Sequence, residues 1–158
     1  MGKSDAERRI DSAARLIAAP AETIYRAFVD GSAWERWLPP AGMIGRVEIF
    51  EPRVGGRYRM VLTYRGDHEN RGKTAENMDI VEGRFIEFAH DEKAVHAVTF
   101  ESEDPAFAGD RRMTWSLSPA PAGTELTITC ENVPFGISKA DHDVGLRSTL
   151  ANLATFME

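Results

Sequence analysis

Cysteine is almost missing from this sequence. Its 158 residues include one, Cys130 in TELTITCEN, so no internal disulfide can form. With neither a CxxC spacing nor an adjacent basic residue to activate it, the thiol reads as a buried structural group. Long apolar runs are missing too. No stretch approaches the roughly 20 residues of a membrane span, and MGKSDAERRID lacks the apolar core of a signal peptide, so the expectation is a cytoplasmic protein with no membrane partner. Ala6 stands where a myristoylation signal requires Ser or Thr, and Gly2 is therefore not a lipid site. The histidines His68, His90, His96 and His142 never fall at HxH or HxxxH spacing, which argues against a metal centre. No G-x-S-x-G elbow occurs, and Gly55-Gly56 lacks the G-x-G-x-x-G continuation. No cofactor is expected. Basic residues are scattered and outnumbered, 19 against 25 acidic ones, for a net charge of −6. Such a surface repels phosphate, so nucleic acid is not an expected partner.

What is present fits one domain over residues 9–158, after a polar segment 1–8. RIDSAARLIAA reads as a first strand. Pro20 then suits a helix start, Ile24, Ala27 and Phe28 share one helical face, and Asp30-Gly31 ends it. Ser32 and Glu35 have the spacing of a capping box, which predicts a second short helix carrying Trp34, Trp37 and Leu38 on one side. Pro39-Pro40 stops that helix. From Val47 onward the apolar period becomes two. Tyr58, Met60, Leu62 and Tyr64 alternate with more polar neighbours; a strand from about Glu76 to Phe88 follows, with Gly83 as a candidate bulge. Met113, Trp115 and Leu117 alternate with Arg112, Thr114 and Ser116, and Leu126, Ile128 and Cys130 form the inner side of a last strand. Ser138 can cap a final helix in which Leu146, Leu150, Leu153, Ala154 and Met157 make one apolar stripe. Gly145, inside that helix, predicts a bend or close approach of another backbone. Only this helix is long enough to cover the apolar face of the sheet. The expected fold is α+β: a curved antiparallel sheet of six or seven strands around a long C-terminal helix, with two short helices after the first strand.

Four segments in this order resemble the helix-grip SRPBCC superfamily, and within it the branch similar to the C-terminal domain of the ATPase activator of the ninety-kilodalton heat-shock chaperone. They are APAETIYRAFVDGSAWERWLPP, VGGRYRM, GTELTIT and HDVGLRSTLANL, and the likeness spans about Arg9 to Met157. One departure stands out. The family commonly carries Gly-Trp where this chain has Gly145-Leu146, a change that would enlarge or reshape an internal cavity. The resemblance implies a cavity between sheet and long helix, opening near the short helices, with Trp34, Trp37 and Met43 as rim candidates. A core corner is the competing reading for Trp37.

On that geometry the candidate ligand-binding residues are Trp34, Trp37, Met43, Tyr58, Met60, Leu62, Tyr64, Arg84, Ile86, Phe88, Met113, Trp115, His142, Leu146 and Leu150. The bland alternative is that they only fill a core. Polar groups on an apolar face discriminate better, because burying one unpaired costs about 1 to 3 kcal/mol. Tyr58, Tyr64, Arg84 and His142 are those candidates, Arg84 only if Gly83 leaves the strand register unflipped. His142 is either a ligand contact or proton donor, or a structural group that caps the helix start or bonds to a neighbouring acid such as Asp143. Arg84 either anchors a carboxylate or forms an ordinary ion pair. Glu101 and Glu103 read as solvated loop charge. The leading expectation is non-catalytic binding of a small hydrophobic or amphipathic molecule, such as a lipid. The rivals are a protein–protein module, including a chaperone cofactor, and a cyclase-like enzyme using Tyr58, Arg84 or His142 as acid–base groups. A homodimer through a sheet edge or the Trp34 face is a further partner expectation.

Overall fold

A computed structural model describes residues 9–39, 42–64, 78–100 and 110–157. Pro40, His68, Glu76, Glu101 and Glu103, named above, lie outside the described residues. The strands are β1 (Ile10–Ile17), β2 (Met43–Phe50), β3 (Arg57–Tyr64), β4 (Met78–Ala89), β5 (Lys93–Phe100), β6 (Arg111–Ala120) and β7 (Gly123–Glu131). Helices α1 (Ala21–Phe28) and α2 (Gly31–Trp37) follow β1, and α3 (Lys139–Met157) ends the described chain. Alternation builds the sheet. In β6 and β7, Met113, Trp115 and Leu117 face inward beside Cys130, Ile128 and Leu126, their partners in register. All pairings are antiparallel in a seven-stranded sheet of order β1-β7-β6-β5-β4-β3-β2. The first strand thus lies at one edge and the second at the other, and α1 and α2 carry the chain between them.

The α2 start differs from the expected capping box. Asp30 is the cap: its carboxylate accepts from the backbone N–H of Ser32 at 3.0 Å and Ala33 at 3.4 Å, while Glu35 reaches away to accept from Val47 N at 2.7 Å. Asp30 outcompetes Ser32 because helical geometry already begins at Gly31. The tryptophans then point inward. Trp34 Nε1 donates to Phe28 O at 3.1 Å and Trp37 Nε1 to Ala27 O at 3.3 Å, so both indoles satisfy carbonyls that the end of α1 leaves without an intrahelical donor.

Gly83 is not a bulge. It sits opposite Tyr58 in register, and a Cβ there would come within 2.2 Å of the tyrosine ring, so the ring lies flat across β4 because position 83 has no side chain. The irregularity falls at Ile86, between Phe85 and Glu87, and lets both Phe85 and Phe88 turn to the core. Ser138 caps α3 by accepting from Asp141 N at 3.0 Å, and Leu146, Leu150, Leu153 and Ala154 are buried as the stripe requires. A Cβ at Gly145 would meet nothing within 4 Å, so no second backbone approaches it. The helix packs against β1 and α2. Thr149 Oγ1 and Asn152 Nδ2 fasten it to the end of α2 through the carbonyls of Leu38 and Pro39, at 3.2 and 2.8 Å.

Candidate functional site

Between α3 and the inner face of the sheet lies a cavity of about 450 Å3. Met43, Tyr58, Met60, Leu62, Tyr64, Met113, Trp115, His142 and Leu146 line it. The remaining expected residues go elsewhere. Trp34, Trp37 and Leu150 are buried in the core, at 2%, 0% and 1% exposure, so neither tryptophan forms a rim. Phe88 packs against the same core beside Phe85, ring centroids 5.0 Å apart. Ile86 has no register partner and does not line the cavity. Arg84 is exposed on the outer face of the sheet: Phe85 and Val81, not Arg84, take the inward parity of β4. An acid–base set of Tyr58, Arg84 and His142 is therefore not assembled.

The polar floor of the cavity centres on His96, which is 4% exposed. Trp115 Nε1 donates to His96 Nε2 at 2.8 Å, and His96 Nδ1 lies 2.6 Å from the hydroxyl of Tyr58. An indole N–H can only donate, so Nε2 must be the bare nitrogen and Nδ1 carries the proton. Burial pushes His96 down from its ordinary value to about 3, with Arg111 adding to the effect, so it is neutral at any physiological pH. Burial also pushes the Tyr58 phenol upward, so it stays protonated.

A second chain crosses the same floor. Arg111 Nη1 lies 2.9 Å from His142 Nε2, and His142 Nδ1 lies 2.5 Å from Asp11 Oδ2. Guanidinium is also a donor only, so His142 takes the same tautomer as His96 and donates Nδ1–H to the carboxylate. Burial and the Arg111 charge lower the pKa of His142, against the opposing pull of Asp11. Burial alone would raise Asp11; hydrogen bonds from Arg9 and His142, with the charge of Arg9, outweigh it and hold the carboxyl at about 2. Arg9 adds a mechanical tie, because its guanidinium also donates to Ile137 O just before α3. His142 is thus bonded to Asp11 of β1 rather than to Asp143, which pairs with Arg147 at 3.0 Å. Burial lowers Arg111 from its ordinary value, with Asp11 and Asp79 among the opposing charges, but a guanidinium keeps its proton through such shifts.

His96, Arg111 and Asp79 also line the cavity and Asp11 bonds to its lining residue His142, yet none of the four is among the residues expected from the sequence. Arg111 shares the inward parity of Met113, Trp115 and Leu117, and the alternation simply extends one residue further than Arg112 suggested. Asp79 and His96 likewise sit on the parity of Val81 and Val98. Cys130 is buried as expected, and burial lifts its thiol to about 11 despite the partly offsetting charge of Arg111. It is no nucleophile. Among the described residues no three His, Cys, Asp or Glu side chains come together as a metal-binding set.

A family model described as Activator of Hsp90 ATPase homolog 1-like protein matches residues 18–158. The chain belongs to this family. The X-ray structure of protein CV1439 from Chromobacterium violaceum is 30% identical, with a TM-score of 0.83 over 94% of this chain and 96% of that one. An AHSA1-like protein from Aeromonas hydrophila, 15% identical, superposes with a TM-score of 0.70 over 94% and 91% of the two chains. Protein MLL2253 from Mesorhizobium loti, 21% identical, does so with 0.68 over 93% and 95%. These last two show the shared fold alone. The sequence matches none of the curated proteins. No helix among the described residues of this AHSA1-like chain is long and apolar enough to cross a membrane.

Proposed function

We propose that this AHSA1-like protein binds a small amphipathic molecule in the cavity between α3 and the sheet, without catalysing a reaction on it. The observation that carries this reading is the cavity itself. Its 450 Å3 is within the range of small-molecule sites, and Met43, Met60, Leu62, Val81, Met113 and Leu146 supply apolar walls around one polar floor. The polar groups argue for holding rather than reacting. Both histidines are neutral and committed to hydrogen bonds on both nitrogens, and the thiol is buried and protonated.

A thermal-shift screen of amphipathic small molecules tests the reading: a ligand at a hundredfold excess over Kd adds about 2.7 kcal/mol to stability. Leu146→Trp places a large ring at a cavity-lining position. It is expected to keep the fold and abolish every positive shift. Shifts that survive Leu146→Trp, or a screen with none, would overturn the reading.

A further inference from the structure

We infer that the hydroxyl of Tyr58 is the cavity's anchoring donor, aimed by the Trp115–His96 chain, and that the bound molecule ends in a carbonyl or carboxylate oxygen. The inference rests on the cavity reading above and adds the chemistry of the ligand's polar end. Its starting point is donor accounting. Trp115 spends its one N–H on His96 Nε2, which obliges His96 to carry its proton on Nδ1 and to donate to the Tyr58 oxygen 2.6 Å away. A phenol oxygen that accepts keeps its own proton to give. Among the described residues His96 is the one hydrogen-bond partner of Tyr58 Oη, so no described residue takes that proton.

Position turns this spare donor into a recognition element. Tyr58 is 3% exposed and lines the cavity together with Arg111, and Gly83 beneath the ring fixes where the hydroxyl sits. In a buried site a donor left without an acceptor costs free energy, which favours a ligand able to accept over one that can only donate. Arg111, the floor's cation, acts in the same sense and extends the preference to a carboxylate. Asp79 beside them keeps the floor from being purely cationic, which is why a neutral carbonyl also fits. His96 and Trp115 are positioning residues: they orient the donor by fixing a tautomer.

Two measurements test this. The imidazole 15N spectrum of the whole chain should show His96 with Nδ1 protonated and Nε2 bare; the opposite tautomer overturns the proposal without touching the cavity reading. Titrations with decanoate, 2-decanone and decylammonium should then give binding of the two acceptors, with decylammonium at least tenfold weaker. Tyr58→Phe is expected to weaken decanoate and 2-decanone about tenfold each, the equivalent of one lost hydrogen bond. Trp115→Phe supplies an independent variant. It frees His96 Nε2 to take the proton, so that Nδ1 accepts from Tyr58; the 15N pattern should invert and both acceptors weaken while Tyr58 and Arg111 remain. If all three probes bind alike, or the ketone is indifferent to Tyr58→Phe, the cavity reading stands and the anchor falls. If none binds, both fall.

Discussion

The same inner sheet face carries two regions that handle polar atoms in opposite ways. Under α1 and α2 is an aromatic corner of Phe28, Trp34, Trp37, Phe50 and Phe85, with ring centroids 5.0 to 6.2 Å apart along Phe28–Trp37–Trp34–Phe50–Phe85. Its indole N–H groups end on backbone carbonyls of α1, and the hydrogen bonding stops there. Under α3 is the cavity floor, where each donor-only group meets a histidine and so passes a donor onward, to Tyr58 in one chain and to Asp11 in the other. Trp115 belongs to both. Its ring packs on Phe28 and Trp37 at 5.2 and 5.5 Å, while its N–H feeds the floor. What separates the closed corner from the polar cavity floor here is the acceptor that the indole finds: a carbonyl terminates the chain, and an imidazole transmits it.

Trp37→Ala is the harshest test of the corner. Emptying a fully buried tryptophan site should cost about 3 to 5 kcal/mol in urea denaturation. Because Trp37 does not line the cavity, any folded fraction should keep its ligand affinity. A loss below about 1 kcal/mol would mean that the corner is not the packed counterpart of the floor.

Acid separates the two regions next, because only the floor titrates. His96, with its pKa depressed from 6.5 to about 3, binds fewer protons folded than unfolded between those values. Stability is therefore intact above pH 6.5 and falls as pH drops, by roughly 2 to 3 kcal/mol at pH 4.5 from this residue. His142, also depressed, adds loss of the same sign. Asp11 enters later: its folded value of about 2 lies below the unfolded 3.8, so its contribution holds above about pH 4 and is lost toward pH 2. In His96→Gln, chemical denaturation between pH 6 and 4 should show a slope shallower by about one proton. An unchanged slope would place the acid sensitivity elsewhere.

Gly83→Ala tests how the floor is positioned. A methyl 2.2 Å from the Tyr58 ring must displace it, at an overpacking cost of about 1 to 3 kcal/mol, and should break the contact with His96. The hydrogen-bonded His96 Nδ1 proton resonance reports this directly. Its persistence in Gly83→Ala would show that the ring has another way to reach the imidazole.

Sequence periodicity made the architecture legible, since period two in the strands and the α3 stripe each have one burial solution. The apolar walls of the cavity came with it, through Met60, Leu62, Met113 and Leu146. The floor did not. It depends on which polar residues share an inward parity, and parity in β4 turned on whether Gly83 or Ile86 was the irregular residue. A glycine suggests a bulge, yet this one serves a ring lying over it from the neighbouring strand, a contact that no single segment encodes. The chains through His96 and His142 span β3, β5 and β6, and β1, β6 and α3, so they exist only after the strands are paired. In α2, Asp30 competed with a well-spaced Ser32 and Glu35, and backbone geometry decided for Asp30.

Arg84 carries the smallest expected effect. It is exposed and stands directly opposite Arg57 on β3, so two like charges face each other across the pair. Arg84→Ala removes that repulsion along with a solvated side chain, and stability should change by no more than about 0.5 kcal/mol, in the stabilising direction. The gain should shrink at high salt, because exposed charges are screened. Decanoate affinity should not move. If it drops instead, the outer face of β4 contributes to binding, and the division between a charged exterior and a donor-bearing floor would have to be redrawn.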